Sequence, residues 1–163
     1  PLDFVGVNVY TPDHYVLAAD NERGFALAPF PASFPRMKAG WLRPGPESIY
    51  WVPRHIASLW NVKSIYITEN GTSGSDQLAA DGAIYDTDRI MYLRNYLTQL
   101  QRATSQGVPV KGYFLWSLID NFEWAYGYST PFGLAHVDFA TQERRIKFSG
   151  QVYAAIARNH SGG

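Results

Sequence analysis

Three apolar runs, at residues 3–10, 64–68 and 110–116, are each followed at a distance by a stretch of helical periodicity. This alternation constrains the fold more than any other feature. Ile49, Val52, Ile56 and Leu59 recur at helical spacing, as do Ile90, Leu93, Leu97 and Leu100, and Phe148, Val152, Ala155 and Ile156. Strands that alternate with helices imply a parallel sheet with right-handed helical crossovers. Pro53 lies inside the first helical stretch, residues 47–60, so a kink or a late start is expected there. Asp86 or Thr87 is the expected cap of the second, with Asp88 in its first turn. Gly107 and Pro109 end it, and Arg89, Arg94 and Arg102 read as its solvated face.

The middle run stops abruptly. Ser64-Ile65-Tyr66-Ile67-Thr68 leads into Glu69, and an Asn70-Gly71 turn is expected at once. In parallel α/β folds chemistry gathers at the C-terminal strand ends. Glu69 is therefore either a catalytic group or a residue that pins a loop. The first run ends in Asn8-Val9-Tyr10-Thr11 before Pro12, and strand parity puts Asn8 and Tyr10 on one side. Taken alone, that pair also suits an ordinary polar strand terminus. The third run ends in Trp116, with Glu123 and Trp124 close behind.

Residues 11–46 carry six prolines and three glycines and read as one long irregular loop. A loop of that length in a compact domain is usually functional or disordered. Phe25, Phe30, Phe34 and Trp41 argue that it packs against something; Trp41 suits either a platform at a cleft mouth or a buried anchor. Residues 134–139 and 144–147 read as a hairpin, and residues 161–163 as a frayed end.

Composition excludes several function classes. The 163 residues carry 14 Lys plus Arg and 14 Asp plus Glu, so there is no basic footprint for nucleic acid. There is no cysteine, which removes disulfide and thiolate chemistry. No apolar run approaches the roughly 20 residues of a membrane span, and the expected location is the cytoplasm. His14, His55, His136 and His160 are scattered without ligand spacing, so no metal or other cofactor is expected. Aromatic residues make up 15% of the chain, enough to line a sugar site as well as a core. Pyranose rings stack their C–H faces on Trp and Tyr, while their hydroxyls need polar partners.

Three parallel strands cannot close a sheet, and a (β/α)8 barrel typically needs about 250 residues. The expected architecture is α/β: the last three or so βα units of such a barrel, with residues 1–163 as the C-terminal portion of one domain and residues 11–46 at its active-site mouth. The chain starts, at Pro1, almost inside an apolar segment, as a piece of a longer chain would.

Three strings resemble family 1 of the glycoside hydrolases, the retaining β-glucosidases and their relatives. Asp3-Phe4-Val5-Gly6-Val7-Asn8-Val9-Tyr10-Thr11 is similar to that family's sixth strand. Ile67-Thr68-Glu69-Asn70-Gly71 resembles its nucleophile signature, and Trp116-Ser117-Leu118-Ile119-Asp120-Asn121-Phe122-Glu123-Trp124 its eighth-strand motif. The resemblance implies that Glu69 is the nucleophile and that Tyr10 donates a hydrogen bond to it. It implies that Asn8 lies near the sugar 2-hydroxyl and that Trp116 stacks under the ring. Glu123 and Trp124 would take the hydroxyls at carbons 4 and 6, Trp41 would line the leaving-group side, and Phe132 would border the sugar pocket. The implied substrate is a β-glucoside or oligosaccharide.

The chain departs from the family in one large respect. The acid/base Glu of the family lies in an Asn-Glu-Pro segment, and this sequence has none. The expected partner is therefore the N-terminal portion of the same enzyme, as another chain, a nicked segment or further sequence. Smaller departures are Pro131, where a basic residue is usual, and Arg145-Ile146, where Thr-Pro is usual. A reading of a different class is a partial barrel that only binds sugar or pairs with another protein, since open sheet edges invite pairing.

Overall fold

The computed structural model describes residues 2–12 and 14–160, apart from the side chains of His14, Tyr15 and His160. The expected frayed end at residues 161–163 lies outside the described residues, as do the side chains of His14 and His160.

A three-stranded parallel sheet organises the molecule: β1 (Val5–Asn8), β4 (Ile65–Asn70) and β5 (Val110–Leu115), with β4 in the centre. Branched side chains suit the pleat, and the two-residue period assigns its faces. Ile65 and Ile67 are fully buried on one face, with Val5 and Val9 beside them. Three helices account for the crossovers and the chain end: α1 (Glu47–Trp60), α2 (Thr87–Ser105) and α3 (Phe148–His160). The main core joins Val9, Leu42, Ile49, Ile67, Tyr92, Tyr96 and Phe132. Among the described residues the parallel strands do not close into a barrel.

Residues 11–46 are less irregular than expected. β2 (His14–Ala18) and β3 (Phe25–Pro29) form an antiparallel hairpin, with Gly24 at φ 72° where the chain turns back. Pro29 within β3 and Pro31 and Pro35 after it mask the strand period, and this edge ribbon tolerates Pro29 at its end. The hairpin expected near the C-terminus forms from β6 (Ala135–Val137) and β7 (Arg144–Ile146).

α1 starts at Glu47 and continues through Pro53, which is buried. Leu59, expected in its buried stripe, is 76% exposed, and Tyr50 is buried instead. α2 also turns differently from its leucine pattern. Its buried face runs through Arg89, Tyr92, Leu93, Tyr96, Leu100 and Ala103. It closes at Gly107, φ 85°, whose N–H donates to the Thr104 carbonyl at 2.9 Å.

Arg89 is therefore not on a solvated face. Its guanidinium donates to Asp76 at 3.0 and 3.1 Å, to Asp86, and to the carbonyls of Thr72 and Pro131, each at 3.2 Å. Lys147, also fully buried, bridges Asp76 and Asp120. Asp86 stands at the α2 N-cap, but its carboxylate makes no capping bond; it binds Arg89 and Ser149 of α3. Burial works to raise Asp76, yet Arg89 and Lys147 outweigh it and hold its carboxyl below the ordinary range. No described helix is long and apolar enough to cross a membrane.

Candidate active site

The C-terminal ends of β1, β4 and β5 meet because the strands are parallel neighbours. The Val9 N–H donates to the Glu69 carbonyl at 2.9 Å, and the Trp116 N–H to the Asn70 carbonyl at 2.9 Å. The side chains follow. The Tyr10 hydroxyl donates to Glu69 Oε2 at 2.7 Å, across a register shift after Val7. The shift lets Tyr10 and Glu69 face each other although they do not pair in the ladder. Burial, the bond to Glu69 and the nearby charges of Glu69 and Glu123 all push the Tyr10 phenol well above its ordinary range. Tyr10 thus stays a proton donor at any physiological pH.

The other expected residues divide. Trp41 meets the Tyr10 ring edge-on, centroids 5.7 Å apart, and stays half exposed. Ala39 and Leu42 of the same segment are buried instead. The Ala39 N–H donates to Ser73 Oγ at 2.7 Å, which ties that segment to the chain just after β4. Trp116 Nε1 points at Glu123 Oε2, 3.4 Å away, and the Trp116–Ser117 peptide is cis. Asn8 is exposed, and its Oδ1 accepts from Thr68 Oγ1 at 2.7 Å. Trp124 projects into solvent, 79% exposed, from a single 3-10 turn at Trp124–Tyr126. Phe132 is 2% exposed and packs in the main core.

Asn70 is the residue that local pattern misjudged. It closes β4 rather than opening a turn, and it is fully buried. Its Nδ2 donates to the Val9 carbonyl at 2.7 Å and to the Tyr92 hydroxyl at 3.0 Å, and its Oδ1 accepts from Tyr113 at 2.7 Å. Gly71 follows because the Trp116 carbonyl oxygen lies 2.0 Å from where its Cβ would stand. The sequence signal for this network was the Tyr92–Tyr96 spacing, one helical turn apart on one face.

A groove of about 640 Å³ lies elsewhere, between α2 and α3 over the first half of β5; Leu97, Tyr113, Val152 and Ile156 line it. It holds none of the strand-end carboxylates, so chemistry assigns the candidate site to the Glu69 end instead.

Comparison with known proteins follows the same line. Residues 1–162 match the model of the family described as glycosyl hydrolase family 1. The chain is 40% identical to beta-glucosidase A of Thermotoga maritima over 98% of its own length and 35% of that protein's. It is 41% identical to beta-glucosidase A of Acetivibrio thermocellus, over 98% and 36% respectively. The solved structure of the Thermotoga maritima family 1 β-glucosidase superposes with a TM-score of 0.86 at 41% identity, again over 98% of this chain and 35% of that one. The chain thus spans about a third of the length of the relatives it matches.

Proposed function

This chain belongs to glycosyl hydrolase family 1, and on that premise we propose that it forms the C-terminal portion of a retaining β-glycosidase acting on terminal glucosyl or galactosyl residues. Glu69 is the nucleophile. The observation that carries this reading is the 2.7 Å bond from Tyr10 to Glu69 at the mouth of the parallel sheet. A nucleophilic carboxylate must stay ionised and aimed, and a phenol held far from ionisation is a donor suited to both needs.

In the first step a Glu69 carboxylate oxygen attacks the anomeric carbon. The glycosidic bond breaks, and the leaving oxygen takes a proton from a second carboxyl group about 5–5.5 Å from the first. Water then cleaves the glycosyl ester, giving its proton to that second group and releasing Glu69. The second carboxyl is not assigned to this chain: Glu22, Glu47 and Glu143 are all exposed. It is assigned to an Asn-Glu-Pro segment in a complementing N-terminal portion, which also completes the (β/α)8 barrel. Trp116 stacks under the ring, Asn8 serves the 2-hydroxyl side, and Trp41 lines the leaving-group side. Glu123 accepts from hydroxyls at carbons 4 and 6, with Trp124 beside it. A carboxylate at that position repels a 6-phosphate, so an unmodified sugar is the substrate.

The test combines this chain with a polypeptide carrying the Asn-Glu-Pro segment and treats the assembly with a 2-deoxy-2-fluoro glucoside. Mass spectrometry is expected to find the sugar on the peptide containing Glu69. Turnover by the 163-residue chain alone, or label on another residue, sinks the proposal. An assembly that binds glucoside yet never becomes labelled favours a sugar-binding partial barrel instead.

A further inference from the structure

The strand ends are wired together a second time, on the helix side. Tyr92 and Tyr96 of α2 stack with ring centroids 4.0 Å apart, and each hydroxyl donates to the Tyr10 carbonyl at 2.7 Å. Two phenols thus fill both lone pairs of one carbonyl. The Tyr92 hydroxyl accepts from Asn70, whose other amide hydrogen holds the Val9 carbonyl. The Tyr96 hydroxyl accepts from the Gly45 N–H at 3.0 Å, which fastens the segment bearing Trp41 to the same post. Tyr113 of β5 closes the set on Asn70 Oδ1. Each of these side chains lies on the covered side of the sheet.

The peptide units being held are those on either side of the functional pair. The Val9 and Tyr10 carbonyls flank the residue that carries the phenol, and Asn70 directly follows Glu69. We propose that Tyr92 and Tyr96, with Asn70, are positioning residues that set the Tyr10–Glu69 hydrogen bond from the far side of the sheet. A side chain is aimed by the backbone that carries it, and a backbone whose carbonyl accepts two buried hydrogen bonds cannot turn without breaking them. Removing the two phenol oxygens frees the Tyr10 backbone to turn, and its hydroxyl drifts from the carboxylate. The consequence for catalysis rests on Glu69 being the nucleophile; the positioning itself does not.

The test is made on the full chain with tyrosine labelled by ¹³C at the ζ carbon. Tyr10→Phe identifies the Tyr10 signal, and Glu69→Gln gives its displacement when the carboxylate partner is lost. The expected result is that Tyr92→Phe combined with Tyr96→Phe displaces the Tyr10 signal by at least half as much. A folded double variant with the Tyr10 signal unmoved, whether or not its melting temperature falls, overturns the proposal. If the double variant does not fold, the single variants are read: a smaller displacement in each supports the proposal, and none in either overturns it. No turnover enters the measurement, so a chain that hydrolyses nothing leaves it intact.

Discussion

The two faces of the parallel sheet have similar residues and opposite fates. On the helix side Ile65 and Ile67 are fully buried and the polar groups around Asn70 are paired. On the other side Phe4 and Phe114 are 56% and 58% exposed, with Tyr66 between them in edge contact with Phe4. Small residues fit that second face closely. A Cβ at Gly6 would lie 2.9 Å from Thr68 Cγ2, and one at Gly112 2.7 Å from the Tyr66 ring. Strands apolar on both sides belong to sheets covered on both sides. The difference therefore teaches that composition writes two buried faces, while this chain brings cover for one. An apolar face left open marks an interaction surface, which agrees with the proposed completion of the barrel.

The contrast breaks most violently on the covered side. Lys147→Met leaves Asp120, and one side of Asp76, facing no buried cation. Losing one partner of a buried ion pair costs about 3–5 kcal/mol. Denaturant unfolding is expected to show a loss of that order; under about 1 kcal/mol would mean that water already reaches these groups.

The same cluster predicts an acid limb. The Asp76 carboxyl titrates below its ordinary range when folded. Its contribution is thus fully present above the unfolded value, about 3.9, and is lost as pH falls through the folded value. Denaturation midpoints should drop as pH passes downward through that window. Asp76→Asn should start lower and fall less steeply; an unchanged slope would assign the acid limb to other carboxylates.

The smallest effect is expected on the open face. Phe114→Ser should alter the stability of the chain by no more than about 0.5 kcal/mol, as at an ordinary surface position. The same change should weaken capture of the complementing polypeptide by tenfold or more, about 1.4 kcal/mol. A large loss of stability in the chain alone would show that this face is covered from within.

Much of the layout was legible in advance. The three strands, their parallel order and α1 lie where apolar period placed them, and Glu69 stands at a strand end with Tyr10 against it. The misreadings share a cause. Arg89 looked solvated because its neighbours on α2 are charged, yet its partners Asp76 and Asp86 surround it. Asn70 looked like a turn because Gly71 follows, yet that glycine answers the Trp116 carbonyl. Leu59 was expected in the core, yet it is exposed and Tyr50 is buried instead.

Periodicity and strand termini are local properties, set by side-chain shape along a few consecutive residues, so the sequence alone determined the alternation, the strand direction and the pairing of a carboxylate with a strand end. Which polar group is buried, and by whom, depends on segments arriving from elsewhere in the chain. Only the tertiary structure could decide that Lys147 bridges Asp76 and Asp120 and that two phenols of α2 converge on one carbonyl of β1's continuation. A buried charge or amide is tolerated only where its partners meet in space, and no local pattern records that meeting.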